Sequence, residues 1–142
     1  MKKALSPRAV FERSIKESDV VGAIRNLLEL NGARVFEIVE RIPWGKRTST
    51  PGMPDLCGWF PKGTSVHFKN VVSLTENPDR IIQLPAILSF WIEVKRPGGK
   101  HRPSQEAWIE AARADGVVAF FADSVEAMVK GFSEFGIKIK GT

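Results

Sequence analysis

The segment Phe90-Trp91-Ile92-Glu93-Val94-Lys95 decides how this chain is read. It is an apolar run that carries an acid and a base two positions apart. Such a run reads as a β-strand, in which residues i and i+2 share a face. Glu93 and Lys95 then point one way, Ile92 and Val94 the other. A buried strand does not normally carry two charged side chains unless they are paired or hold a metal. A second carboxylate stands upstream, in Gly52-Met53-Pro54-Asp55-Leu56. Two acids and a lysine are the minimum set for metal-assisted phosphodiester hydrolysis. The acids bind a hard divalent cation, and the lysine steers or stabilises the attacking water.

Outward from that strand, Arg96–Arg102 reads as a basic turn. Ser104–Asp115 follows as a helix with Ser104 as N-cap and Gly116 as terminator. Val117–Ala122 is an apolar strand of the fully buried type, and Asp123-Ser124-Val125-Glu126 opens a last helix running to about Gly136. Upstream, Ser14 to about Asn31 reads as a helix. Ser14 and Glu17 fit a capping box there, and Gly32 sits at the C-terminal cap. Arg34–Ile42 reads as a strand with Phe36, Ile38 and Ile42 on one face. Pro43–Pro51 is a basic loop carrying Trp44, Lys46 and Arg47, and Asp55–Phe60 is a second strand. Within 64–88, Val66–Leu74 reads as a strand and Asn77-Pro78 as the start of a short helix through Gln83. Residues 1–13 form a basic arm, flexible or briefly helical. The order predicts an α/β fold, a mixed sheet with helices on both faces.

The bulk numbers narrow the class. With 142 residues, 43% apolar and 26% charged, the chain is one soluble domain, 1–142, with a sizeable core. Its net charge of +5 suits a polyanionic partner without demanding one. The single Cys57 excludes an intrachain disulfide and fits a reducing cytoplasm. No apolar run approaches the length of a membrane span. Neither histidine has metal-ligand spacing, so a structural zinc site is not expected.

Two more polar residues head apolar stripes. Glu17 precedes Val20, Val21, Ile24 and Leu28 at helical spacing and is placed on the core side. Gln105 stands in the same relation to Trp108, Ile109 and Ala112. Each piece has a plainer reading. Glu17 could cap its own helix, Gln105 could fill a first turn, Pro54-Asp55 could be a simple turn, and Glu93 with Lys95 could be an exposed ion pair. The apolar flank Phe90-Trp91-Ile92 argues against the last. The ordered set favours a catalytic site over coincidence.

Taken together, these residues resemble the PD-(D/E)XK nucleases, and within them the VRR-NUC (virus-type replication-repair nuclease) domain. That domain occurs as a small stand-alone protein and as the catalytic end of a larger DNA-repair nuclease. The resemblance rests on Glu17-x-x-Val20-x-x-Ala23-Ile24, Gly52-x-Pro54-Asp55-Leu56 and Trp91-Ile92-Glu93-Val94-Lys95. It continues through Gly98-Gly99-Lys100-x-x-Pro103-x-Gln105-x-x-Trp108 and Gly116 to Ala127. It implies a restriction-endonuclease-like sheet. It also implies Asp55, Glu93 and the Val94 carbonyl as ligands of Mg²⁺ or Mn²⁺, with Glu17 supporting them directly or through water. Lys95 would position the water, and Gln105 would orient Lys95 or the water.

The resemblance further implies an endonuclease acting on structured or branched DNA as a homodimer, leaving 5′-phosphates. Lys46, Arg47, Arg96, Lys100, His101 and Arg102 are the candidate nucleic-acid contacts. One departure is the 37-residue interval between Asp55 and Glu93, whose extra length at about 64–89 is a candidate insertion. The alternative is a non-catalytic DNA-binding module or assembly subunit on the same fold. An RNA-directed nuclease would share the same site.

Overall fold

The computed structural model describes residues 6–38, 52–69, 79–84 and 86–141, with 66–69 and 79–83 described by backbone alone. Helix α1 spans Pro7–Ser14. Pro7 is pre-set for a first helical position, and the Ser6 hydroxyl accepts from the Ala9 N–H at 3.2 Å. Those local signals make a helix of most of the expected arm, although α1 buries no residue.

Helix α2 spans Glu17–Leu30. The expected capping box of Ser14 and Glu17 does not form. Ser14 ends α1, with its hydroxyl donating to the Phe11 carbonyl at 2.6 Å. The carboxylate at the third helical position is Asp19, which accepts from the Lys16 N–H at 2.9 Å. Val20, Ile24, Leu27 and Leu28 are the buried stripe of α2. At its end, Asn31 makes two bonds to a segment 109 residues away. Its amide donates to the Lys140 carbonyl at 2.8 Å and its oxygen accepts from the Lys140 N–H at 2.9 Å.

Strand β1 is Arg34–Glu37 and β2 is Leu56–Phe60. Strands β3 (Ser65–Lys69) and β4 (Asp79–Gln83) pair antiparallel from Ser65↔Gln83 to Lys69↔Asp79. Residues 79–83 are therefore a strand and not the expected short helix. Pairing with β3 satisfies the backbone groups on the side that faces it and overrides the local Asn-Pro signal. Strand β5 (Leu88–Val94) leads through helix α3 (Pro103–Ala114) to β6 (Val118–Ala122), then helix α4 (Val125–Glu134) and the short β7 (Ile137–Lys138). The main sheet has the order β1-β2-β5-β6, antiparallel except for the parallel β5–β6 pair that α3 crosses over to make. A second sheet has the order β4-β3-β7.

Helices cover both faces of the main sheet, as expected. Phe90 and Ile92 of β5 are fully buried on the face shared with α2 and α4. There Phe60, Phe90 and Phe120 surround Phe132 of α4 at centroid distances of 5.9, 5.4 and 5.1 Å. Burying each such ring contributes roughly 1.5–3 kcal/mol. On the opposite face, Trp91 meets Trp108 of α3 at 5.4 Å.

Two glycines permit this closeness. A Cβ at Gly58 of β2 would sit 2.1 Å from the Arg34 carbonyl oxygen, and one at Gly131 of α4 would sit 2.4 Å from the Phe120 ring. In strand β1 the face that carries Phe36 is the outer one. Val35 is buried, while Phe36 is 46% exposed and stacks on Trp59 at 5.1 Å. Apolar residues on both sides of a strand leave the inward face to be set by pairing register. Ile42 lies outside the described residues.

Candidate active site

The β2–β5 register builds the site. Leu56 pairs with Ile92 on the buried face, so one residue further Asp55 stands across from Glu93. Asp55 lies just before β2, where its side chain can reach its neighbour, and its Oδ2 accepts from the Val94 N–H at 3.0 Å. The side chain of Val94 is wholly buried, so only the backbone of this residue can serve the site.

Glu93 is the one buried charged residue among those described, at 2% exposure. Its Oε1 is held from two sides. Lys95 Nζ lies 3.1 Å away, and the Gln105 side-chain amide donates to the same oxygen. The other Gln105 atom, Oε1, accepts from the Arg102 N–H at 3.0 Å at the start of α3. Arg102, rather than Ser104, is therefore the N-cap residue, because Gln105 satisfies its N–H as the third helical residue. Pro103 takes the first helical position. Lys95 is itself fixed, since its N–H bonds the Ala122 carbonyl at 2.9 Å and its side chain is only 13% exposed.

Glu93 Oε2 is buried and has no hydrogen-bond partner among the described residues. An orphaned carboxylate oxygen is costly unless a proton or a cation meets it. The electrostatics agree. Burial, then the Asp55 charge, pushes the Glu93 carboxyl from 4.5 up to about 7, with Lys95 opposing and Glu17 adding a smaller upward push. A pair of hard oxygen donors with one oxygen unsatisfied and excess negative charge fits a divalent cation of the Mg²⁺ or Mn²⁺ kind.

Glu17 is exposed and not on the core side as expected. It lines a cleft of about 270 Å³ with Ser18, Val21, Glu37, Ile38 and Asp55. No group of three or more His, Cys, Asp or Glu side chains at metal-holding distance occurs among the described residues. The charge of Glu17 adds the smallest of the upward pushes on the Glu93 carboxyl. Glu37, which the sequence reading passed over, faces the same cleft and sits 3.5 Å from Arg25.

The basic turn 96–102 is exposed apart from Pro97 and Gly99. Arg96 borders a groove with Arg13 of α1, and Lys100 lies in solvent. The ring of His101 stacks on Phe121 of β6. Lys46 and Arg47 lie outside the described residues. Cys57 is half-buried, and burial raises its thiol, which suits packing better than reactivity.

With an acid pair, a lysine and a glutamine converging at one end of β5, comparison with known proteins becomes decisive. The family description "VRR-NUC domain" matches residues 19–126, most of the chain. The chain belongs to the VRR-NUC family. Membership makes it a nuclease domain of the PD-(D/E)XK type, and the mixed four-stranded sheet with four helices is consistent with that fold. No match was found to a curated protein or to a solved structure. Helix α1 precedes the part of the chain that the VRR-NUC description covers. No helix among the described residues is long and apolar enough to cross a membrane.

Proposed function

We propose that this VRR-NUC chain is a divalent-cation-dependent DNA endonuclease acting on structured or branched DNA. The observation that carries the reading is the buried Glu93, with Oε1 tied to Lys95 and Gln105, Oε2 left bare, and Asp55 at the facing register position. A protein that only bound DNA would gain nothing from two carboxylates turned toward phosphate.

Asp55 and Glu93 are the side chains that would hold the cation, with Glu17 and Glu37 able to order water at the cleft mouth. The bound cation supplies Lewis-acid stabilisation of the phosphate oxygens. The chain's own groups do the rest. Lys95 holds a positive charge beside Glu93 Oε1, where it can orient an incoming water and offset charge building on the phosphate. Gln105 locks the Glu93 carboxylate in one rotamer. Asp55 is locked by the Val94 N–H. The turn 96–102 carries Arg96, Lys100 and Arg102 for flanking phosphates, and the overall +5 charge draws the polyanion in. The homodimer implied by the resemblance would set two such clefts for paired cuts.

The test is a cleavage panel of single-stranded, duplex, flap and four-way-junction DNA with Mg²⁺ or Mn²⁺. Cleavage that needs the cation and is lost in Asp55→Ala, Glu93→Ala and Lys95→Ala supports the reading. Binding without turnover on every substrate, or wild-type cutting by Glu93→Ala, overturns it.

A further inference from the structure

We propose that the stacked pair His101 and Phe121 forms a platform for one unpaired nucleobase beside the phosphate to be cut. This rests on the nuclease reading and names the feature of the substrate that the site would select. The two rings lie 3.7 Å apart and within 6° of parallel. Phe121 is fixed by its place in β6, where it pairs in register with Glu93. His101 is the outer ring. Its side chain stays 40% exposed, and its Nδ1 lies 3.8 Å from Glu106 Oε1. An outer aromatic face held flat from beneath and steadied at its edge is what stacking a base requires.

The platform borders a cavity of about 210 Å³ lined by Lys95, Gly99, His101, Phe121, Ala122 and Asp123. That is space for a single base and not for a duplex. Lys95 belongs both to this cavity and to the Glu93 pair, so a base seated here comes from a nucleotide adjoining the attacked phosphate. Gly99 keeps the turn tight, since a Cβ there would meet the Arg96 carbonyl oxygen at 2.9 Å and Lys95 Cβ at 3.3 Å. The exposed Asp123 offers an acceptor for an exocyclic amino group, so bases that carry one are favoured over thymine.

A base can reach this cavity only when it is out of the helical stack. Flaps, junction points and single-stranded gaps supply one without cost, whereas intact duplex must spend unstacking energy first. His101 is thereby assigned to a base, in place of the phosphate contact its basic neighbours suggest.

The experiment places 2-aminopurine in the unpaired arm of a flap, next to the junction, and binds it with Lys95→Ala protein. Stacking on His101 quenches its fluorescence. His101→Ala restores the signal, and His101→Phe keeps it quenched. In a second arm, the active wild type cuts a flap carrying an abasic residue at that position about 5- to 150-fold less efficiently than the intact flap. The abasic arm needs no variant and holds even if His101→Ala folds poorly. Unquenched fluorescence in the Lys95→Ala complex, or equal cutting of abasic and intact flaps, overturns the platform and leaves the nuclease reading intact. Quenching that depends on His101 in a chain that never cuts DNA overturns the nuclease reading and leaves the platform standing.

Discussion

Gln105 joins Glu93 to the first turn of α3, donating to the carboxylate with one end of its amide and accepting the Arg102 N–H with the other. One side chain therefore serves both the start of a helix and the geometry of an acid. Gln105→Ala is expected to cost about 1 kcal/mol in stability through the lost cap and to lower the cleavage rate by about 10- to 100-fold. Gln105→Glu should be worse for cleavage, because it sets a third negative charge against Glu93. Thermal melts and single-turnover rates on a flap check both, and an unchanged rate in Gln105→Ala would remove Gln105 from the site.

The pH behaviour follows from the raised Glu93 carboxyl. Its folded-state value of about 7 lies above the ordinary 4.5. The contribution to stability is thus fully present below pH ~4.5 and is lost as pH rises through ~7. Without added cation, the melting temperature should fall between pH 5.5 and 8.5, and Glu93→Gln should flatten that fall. A profile as steep in the variant as in the wild type would show that another group governs it.

Cation binding should run the other way. A cation at Asp55 and Glu93 needs the deprotonated carboxylate, so binding of Mg²⁺ or Mn²⁺ should tighten as pH rises through ~7 and release up to one proton. Calorimetry in buffers of different ionisation enthalpy measures the release. Asp55→Asn should abolish both the heat and the Mg²⁺-dependent rise in melting temperature, and a full response in that variant would move the cation elsewhere.

The two crowded glycines should respond differently to alanine. Gly58→Ala meets backbone at 2.1 Å, which the antiparallel β1–β2 pair cannot relieve without separating, so loss of folding or more than ~3 kcal/mol is expected. Gly131→Ala meets the Phe120 side chain and a ring can shift, so about 1–3 kcal/mol is expected. Denaturant unfolding of both variants gives the comparison.

What the sequence disclosed tracks how far each signal depends on the rest of the chain. Spacing alone put Glu93 with Lys95, because an i+2 relation is local; helical periodicity set Gln105 at the head of an apolar stripe, and only the family resemblance joined it to Lys95. Asp55 was legible from its motif, and the register then placed it across from Glu93. The start of α2 was misread because Glu17 and Asp19 compete for the third-position carboxylate role, and the short α1 claims Ser14 first. The inward face of β1 was not legible because Val35 and Phe36 are both apolar, and only pairing with β2 decides between them. Residues 79–83 were misread because a partner strand outweighs a local Asn-Pro signal. Glu37 reaches the cleft through that same β1–β2 pairing. Phe121 hides in an apolar strand, where nothing in its neighbours distinguishes a platform from core.

The pair of bonds between Asn31 and Lys140 has reach beyond its own corner. Helix α2 is a rod of about 21 Å, with Glu17 at its tip and Asn31 just past its base. Fastening the base to the C-terminal segment makes that segment a strut for the far end of the rod. Trimming or fusing the chain near Lys140 should therefore be felt as looser aim at the cleft, even though the residues that line it all come from elsewhere in the chain.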